Sequence, residues 1–247
     1  MKVLVIGDSH VDENQKLDRF AALNNVIKNT EGLTHVISIG DFLSLNALSG
    51  WDRNKRLLME DRRYHLEIRA GREALEQMQY GLEDTDLTWI YVEGNHEDRA
   101  TRYCEEHPEM QGTVDVRAGL KLDNRGWKWV PYKTNYNLNG VSFTHIPING
   151  AGKAIGNPNV AHKALQLYHN SVVFGHTHTL DIAGLHRQNA PHLNQALSVG
   201  CFFEHIDEYA KGSMTNYWRG VVILDMYSRN RFDIHTMSMS QVKSYGK

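Results

Sequence analysis

Five short clusters of polar residues in the 247-residue chain contain the side chains that could carry chemistry. In chain order they are Gly7-Asp8-Ser9-His10, Gly40-Asp41, Gly94-Asn95-His96-Glu97, His145 and Gly175-His176-Thr177-His178. Each cluster alone is a modest signal. Under uniform residue frequencies, however, all five together are expected on the order of once in 10⁵ chains or fewer. Chance therefore does not explain them.

Seven residues of these clusters are of types that commonly bind metal ions in proteins. They supply carboxylate, amide and imidazole groups. They are Asp8, His10, Asp41, Asn95, His145, His176 and His178. Two divalent cations about 3.5–4 Å apart can hold the attacking and leaving oxygens of a phosphoryl displacement, and a carboxylate can bridge them. The mixture of nitrogen and oxygen ligands suits Mn, Fe, Ni, Co or Zn better than Ca or Mg. We predict a site for two divalent metal ions, with manganese favoured.

Each cluster follows an apolar run that is typical of a buried strand. The runs are Val3–Ile6, Val36–Ile39, Trp89–Val92, Val141–Thr144 and Val172–Phe174. The first two flank a helical pattern and predict a βαβ unit with a parallel sheet, whose ligand sites lie at the carboxyl ends of its strands. We therefore expect the polar side chains to meet at one edge. If the segments are extended, Asp8 and His10 lie on the same side, as do His176 and His178.

Later apolar runs predict a second sheet, and a long segment between two strands predicts an insertion. The runs are Leu193–Val199, Gly220–Leu224 and Phe232–His235. Between Asp41 and Thr88, residues 52–80 have apolar side chains at helical spacing. We predict one domain over 1–247 with a helical insertion at about 44–85. The insertion is either a lid that brings arginines to an anionic substrate or, as we favour, a solvated helix held to the core by its apolar stripe.

Composition limits the classes of partner. The chain has 27 Lys and Arg against 29 Asp and Glu, a formal net charge of −2. This balance argues against a large electrostatic surface for duplex nucleic acid but allows a short strand or a nucleotide in a cleft. Two cysteines cannot form a disulfide framework, and the sequence has no apolar run of signal-peptide or membrane-span length. We expect a cytoplasmic protein without a membrane partner.

The motifs resemble those of the calcineurin-like metallophosphoesterase family, from residue 3 to about residue 180. The resemblance implies an α/β fold in which two packed β-sheets are flanked by helices. It assigns Asp8, His10 and His178 to the first metal and Asn95, His145 and His176 to the second. It also implies that Asp41 bridges the metals, opposite a bridging hydroxide that attacks phosphorus, and that His96 is the general acid that protonates the leaving oxygen.

Departures from the family pattern bear on the substrate. Protein Ser/Thr phosphatases of the superfamily have Gly-Asp-x-x-Asp-Arg-Gly after the second strand, whereas this chain continues from Gly40-Asp41 with Phe42-Leu43-Ser44. The motif set is more similar to the branch with DNA-repair nucleases, cyclic-nucleotide phosphodiesterases and small phage-encoded phosphoesterases. The resemblance thus implies a hydrolase of phosphodiester bonds in a nucleotide or single-stranded nucleic acid. A phosphomonoesterase acting on small molecules or proteins is the alternative, and a non-catalytic metal-binding scaffold is a remote one.

Three residues outside the ligand set are weaker candidates for substrate contacts. Arg99 follows His96 at helical spacing, and Trp51 and Arg53 open the insertion. For Arg99 we favour the alternative interpretation, an ordinary surface arginine or one paired with Glu97.

Overall fold

The computed structural model describes residues 1–188, 193–205 and 216–246, and its core is built on two β-sheets. The first sheet has six strands in the spatial order β11 (Arg231–Ser238), β10 (Gly220–Ser228), β1 (Lys2–Ile6), β2 (Leu33–Ser38), β3 (Thr88–Val92) and β4 (Trp127–Val130). The second has five in the order β5 (Tyr136–Leu138), β6 (Val141–Thr144), β7 (Val172–Phe174), β9 (Leu193–Val199) and β8 (Leu180–His186). Strands β1 to β4 are parallel, as are β6, β7 and β9.

Apolar side chains from both sheets form the layer between them. Val5 and Ile37 of the first sheet belong to the same buried cluster as Phe143, Val173 and Leu197 of the second. Both sheets thus bury one face against each other, as in a β-sandwich.

Helices cover the outer faces of the sheets. They are α1 (Asp18–Asn29), α2 (Arg56–Met59), α3 (Tyr64–Gln79), α4 (Asp98–Glu106), α5 (Val116–Gly119), α6 (Val160–Leu167) and α7 (Met239–Ser244), with short 3-10 helices at Asn46–Leu48, Pro108–Met110 and Asp123–Arg125. Apolar residues of α1, α3 and α7 pack in one buried cluster with the outer face of the first sheet. Those of α6 pack on the second sheet. The predicted fold class, two packed sheets flanked by helices, is confirmed.

The prediction for the two C-terminal strands is wrong in one respect. Leu193–Val199 belongs to the second sheet, but β10 and β11 extend the first. Strand β10 runs antiparallel beside β1, with Ile6 opposite Val221. The reason is that β1 would otherwise be an edge strand with unpaired backbone groups, and an apolar run does not reveal which sheet edge it will pair with.

The predicted helix over 52–80 is two helices, α2 and α3. Asp61 between them has φ of 63°, a left-handed conformation that a continuous right-handed helix does not contain. Helix α3 buries Ala74, Leu75 and Met78 in the core, which supports the interpretation of a helix held by its apolar stripe. We propose that residues 1–247 form one domain in which about 44–85 is the insertion. Among the described residues, no helix has both the length and the apolar composition of a membrane span.

Candidate metal centre

The loops that follow β1, β2, β3, β6 and β7 bring the seven candidate ligands to one edge of the sandwich. The expectation that these segments are extended is wrong. Backbone φ is 44° at His10, 49° at Asp41, 69° at His176 and 58° at His178, all in the left-handed region. Such a conformation costs a residue other than glycine about 1–3 kcal/mol, so the surroundings must enforce it. The loops are indeed tied together, since the Asp41 carbonyl accepts the His10 N–H at 3.0 Å.

Two motif glycines are explained by close approach. A Cβ at position 94 would lie 2.2 Å from the backbone nitrogen and Oδ1 of Asp41, and one at position 175 would lie 2.5 Å from Oδ1 of Asp8. Both distances are far below van der Waals contact. Gly94 and Gly175 therefore allow the neighbouring loops to approach the two carboxylates.

Asp8, His10 and His178 form the first cluster of metal-binding atoms. One ligand atom from each lies within 4.8 Å of the other two, and all three residues are buried. Nε2 of His178 is 3.0 Å from Oδ2 of Asp8 and 3.2 Å from Nε2 of His10. The backbone N–H of His176 donates to Oδ1 of Asp8 at 2.9 Å and so fixes the carboxylate.

Asp41, His145 and His176 form the second cluster, again with ligand atoms within 4.8 Å of one another. Oδ1 of Asn95 lies 3.0 Å from Nε2 of His145 and joins this cluster. Asp41 also lies within 4.8 Å of His10 and His96, so its carboxylate stands between the two clusters.

The hydrogen bonding of His145 fits a cation. Nδ1 donates to the carbonyl of Ile39 at 3.0 Å, so in the neutral ring Nε2 carries a lone pair. That nitrogen faces Oδ1 of Asn95 at 3.0 Å and Oδ2 of Asp41 at 3.4 Å, two further lone-pair atoms. Such a group needs a proton or a metal ion at its centre. Orientation of a ligating imidazole by a backbone carbonyl is the usual arrangement in metal sites.

The charges of the site favour ionised carboxylates. Burial opposes the ionisation of Asp8, but the hydrogen bond and charge of His178 outweigh it and lower the pKa. Burial likewise opposes ionisation of Asp41, and the charges of His145 and His96 bring its pKa well below the usual range. Burial disfavours the charged form of His145, yet Asp41 raises its pKa to about 9. The site thus attracts positive charge.

His96 lies at the side of the two clusters. Its Nδ1 donates to the carbonyl of Ser44 at 2.7 Å, and its Nε2 is 3.9 Å from Oδ2 of Asp41 and 3.2 Å from Nη2 of Arg99. Arg99 also donates to the carbonyls of Ser44 and Leu45. It is therefore a partner of the His96 loop and not a surface arginine or one paired with Glu97.

The sequence model of calcineurin-like phosphoesterases matches residues 1–180. The chain belongs to the calcineurin-like phosphoesterase family. Members of this family generally bind divalent metals, which agrees with the His and Asp clusters.

Two solved structures are similar to this chain. Vps29 of Chaetomium thermophilum has 12% sequence identity and a TM-score of 0.42 over 96% of this chain and 95% of its own. The nuclease MPE of Pseudomonas putida has 12% identity and a TM-score of 0.40 over 95% of this chain and 87% of its own. No curated protein sequence matches the chain.

Glu97 is a residue of the site whose contacts the sequence did not reveal. Its buried carboxylate accepts the backbone N–H groups of Asp41, Leu43 and Gly94 and the hydroxyl of Tyr91, at 2.9–3.0 Å. It thereby ties the loop after β2 to the loop after β3. Burial, reinforced by the charge of Asp41, raises its pKa to about 7. The only hint in the sequence was the position of this acidic residue directly after Gly94-Asn95-His96.

A cavity of about 420 Å³, here called the metal cavity, opens over the two clusters. Its described lining consists of His96, five of the candidate ligands (all but Asp8 and His145) and four further residues, Gly156, Asn157, Thr177 and Tyr217. The ring of Tyr217 contacts that of His178 edge-on, with centroids 4.7 Å apart. Thr177 lies within the Gly175–His178 motif, whereas no sequence pattern indicated Gly156, Asn157 or Tyr217, because they come from loops without a recognisable motif.

The other two candidate substrate residues lie farther out. The side chain of Trp51 is in solvent, since the residue is 87% exposed. Arg53 forms a 2.6 Å ion pair with Glu106 at the surface. Neither is among the described residues that line the metal cavity.

Proposed function

We propose that this protein is a dinuclear metal-dependent phosphodiesterase that acts on a nucleotide or a short single strand of nucleic acid. The observation that carries the proposal is the position of Asp41. Its carboxylate stands between two clusters of nitrogen and oxygen ligands, with the His96 ring beside it. This is the arrangement that an in-line phosphoryl displacement with two cations requires.

The proposed ligand sets follow the two clusters. The first is Asp8, His10 and His178; the second is Asn95, His145 and His176; Asp41 is common to both. Manganese is our first choice of metal, with iron, nickel, cobalt or zinc as alternatives, because the ligands mix imidazole with oxygen donors. When bound, two such cations would activate the attacking water and neutralise charge on the phosphoryl oxygens.

The chain's own residues orient the groups and move the proton. The Ile39 carbonyl holds Nδ1–H of His145 and directs Nε2 into the site. The Ser44 carbonyl holds Nδ1–H of His96 in the same way. In the neutral ring Nε2 therefore carries a lone pair and accepts from Nη2 of Arg99, so His96 acts as the acid only as the imidazolium, whose proton on Nε2 is donated to the departing oxygen. We propose that Arg99 releases that nitrogen when His96 is protonated and contacts the substrate.

The lining of the metal cavity supports a diester over a monoester. Among the described residues that line it, none is lysine or arginine. A monoester carries close to two negative charges at neutral pH and a diester carries one, so a described lining that adds no lysine or arginine to the charge of two metal ions suits the diester better. The overall charge of −2 also fits a small or single-stranded substrate.

A panel of esters tests this function. The protein is stripped with a chelator, and bis-p-nitrophenyl phosphate, p-nitrophenyl phosphate, cyclic nucleotides and single-stranded DNA are then assayed with and without Mn²⁺. We expect no hydrolysis without metal, recovery with Mn²⁺ or a similar ion, and a preference for diesters. Faster cleavage of the monoester would favour a phosphomonoesterase. Bound metal without turnover of any ester would indicate the scaffold, and full turnover by metal-free protein would exclude the metal mechanism.

A further inference from the structure

A second cavity of about 290 Å³, here called the side pocket, lies beside the metal centre. Its lining combines apolar side chains with guanidinium groups. The residues that matter are Leu48, Met59, Tyr103, Arg53, Arg99 and Arg102. Arg99 is a wall of this pocket and also donates to Nε2 of His96 at 3.2 Å. One side chain thus connects the side pocket to the proposed general acid.

This position is where a leaving group belongs. In the proposed function a water molecule releases one proton to the solvent as its oxygen bonds to phosphorus, and the bond from phosphorus to the ester oxygen breaks. The electron pair stays on the ester oxygen, which takes the proton from Nε2 of the His96 imidazolium and leaves the neutral ring. The alcohol that departs must therefore lie on the His96 side of the phosphate, and the side pocket is a cavity on that side.

The walls indicate what kind of alcohol fits. Leu48 and Met59 offer apolar surface, and Tyr103, whose ring packs against that of His107 with centroids 4.5 Å apart, adds an aromatic wall against which a base can pack. Arg53 and Glu106, joined by an ion pair at 2.6 Å and more than half exposed, supply both donors and acceptors for the polar edge of a base. The volume is near the lower end of the roughly 300–1,000 Å³ of small-molecule sites, which suits a single nucleoside.

We infer that the side pocket binds the nucleobase of the departing nucleoside. The substrate is accordingly a phosphodiester whose leaving alcohol is a nucleoside. This inference rests on the proposed function and narrows it, because a bare metal centre would accept any ester with a suitable leaving group. It also gives the insertion, which provides Met59 and Arg53, a role in choosing the substrate.

Substrates that differ only in one base test the inference. Thymidylyl-(3′→5′)-thymidine is compared with two analogues in which a tetrahydrofuran residue replaces one nucleoside or the other. Product analysis identifies the nucleoside that departs. We expect kcat/KM to fall at least about tenfold when the departing residue lacks its base, the usual size of a stacking contribution, and to change much less when the other does. The departing oxygens are equally basic, so the demand on His96 is the same.

Two substitutions in α2 provide the matched variants. Met59→Trp places an indole in the side pocket, and we expect the ratio of kcat/KM for base-bearing over abasic substrate to fall to about one. Leu57→Trp adds the same ring at a position that is 86% exposed and is not among the described lining residues, so the ratio should stay at the wild-type value. Tyr103→Leu in α4 repeats the test if Met59→Trp fails to fold, and should lower the ratio severalfold.

The outcomes separate the side pocket from the proposed function. If wild-type protein hydrolyses methyl p-nitrophenyl phosphate with Mn²⁺ but cleaves the base-bearing and abasic substrates equally well, the side pocket does not bind a base and the proposed function stands. A sugar-only or lipid leaving group preferred over a nucleoside would overturn the inference in the same way. If the metal-loaded protein hydrolyses no phosphate ester, the proposed function and the inference about the side pocket are both wrong.

Discussion

Two backbone carbonyls determine which nitrogen of each key histidine is available for chemistry. The carbonyl of Ile39 accepts Nδ1–H of His145, and that of Ser44 accepts Nδ1–H of His96. In both rings Nε2 is left for other partners. For His145 that nitrogen faces Asp41 and Asn95 and suits a cation, whereas for His96 it accepts from Arg99 in the neutral ring and carries the transferable proton in the imidazolium. The same hydrogen bond, from Nδ1–H to a backbone carbonyl, thus orients a proposed metal ligand in one case and the proposed general acid in the other.

The first prediction concerns His96. His96→Ala should keep its metal but lose about 10²–10⁴ in rate on diesters with an alkoxide leaving group, the usual size of a general-acid contribution. With a nitrophenolate leaving group, which needs little protonation, the loss should be much smaller. Rates on both substrates and metal content check this. His162→Ala, an exposed histidine of α6, is the control and should behave as wild type. Equal losses on both substrates, or a depleted metal, would make His96 a ligand or an orienting group.

The second prediction concerns Asp41. Asp41→Asn should reduce bound metal more than any other single ligand change, because the carboxylate stands between both clusters and its charge offsets the repulsion between two cations. Asp8→Asn is the matched comparison, since Asp8 belongs to one cluster only. Metal analysis of the purified variants should give clearly fewer than two equivalents for Asp41→Asn. Two equivalents held at wild-type affinity would remove Asp41 from the bridging position.

At the scale of elements, two buried carboxylates clamp the loop after β2. Glu97 accepts the backbone N–H groups of Asp41 and Leu43, and Glu67 of α3 accepts those of Asn46 and Ala47. The loop between them carries the proposed bridging carboxylate and the carbonyl that orients His96. Helix α3 of the insertion therefore supports the metal centre as well as the core.

The third prediction is a pH dependence of stability that comes from Glu67. Burial raises the pKa of this side chain to about 7, from an ordinary value of about 4.5, although two backbone donors oppose the shift. Because the folded pKa is the higher one, its contribution to stability is present below about pH 4.5 and is lost as the pH rises through about 7. Glu67→Gln, which is neutral throughout, should lack this loss.

Denaturant unfolding of both proteins at pH 5 and pH 8 measures the effect. Between these values, wild type should lose roughly 1–3 kcal/mol relative to Glu67→Gln, since one unit of pKa difference is worth about 1.4 kcal/mol. Glu76→Gln, an exposed acid on the same helix, should show no such difference. A constant difference between wild type and Glu67→Gln across this range would mean that Glu67 is ionised in both states.

The sequence predicted the strands and the motif loops but not how they are arranged locally. Apolar runs mark β1, β2 and β3 because these strands are buried on both faces, and polar residues mark their ends. The left-handed backbone at His10 and His178 arises from tertiary bonds between loops, which spacing does not encode. The bonds from Glu67 to residues 20 or more positions away were likewise invisible.

At the scale of the molecule, segments near the C-terminus of the described chain pair with the first strand and hold two of the motif loops. Strand β10 pairs with β1, and the N–H of Phe202 donates to the carbonyl of Asp8 at 2.7 Å. The N–H of Trp218 donates to the carbonyl of His178 at 2.9 Å. All three contacts come from beyond residue 180, where the family match ends. The matched region therefore contains the motifs but not the whole support for them.

The fourth prediction follows from these contacts of the residues beyond position 180. A truncation that ends at residue 180 should not unfold cooperatively, because it exposes one edge of β1 and removes β8 and β9 from the second sheet. A truncation after Ser238 keeps every strand and loses only α7, and it should unfold cooperatively at a lower temperature than the full chain. Thermal unfolding followed by circular dichroism distinguishes the two. A cooperative transition in the 1–180 fragment would show that the motif region folds independently.

The left-handed backbone at four of the seven proposed ligands, His10, Asp41, His176 and His178, sets stability against activity during evolution. Glycine would adopt the same conformation without the cost of about 1–3 kcal/mol that each of these residues incurs. Laboratory selection for heat resistance alone should therefore accept glycine at these positions and yield variants that are more thermostable but inactive. Selection for turnover should instead hold the four residues fixed and gather its stabilising changes elsewhere in the chain. At these four positions, residues kept despite their cost in stability therefore indicate selection for function.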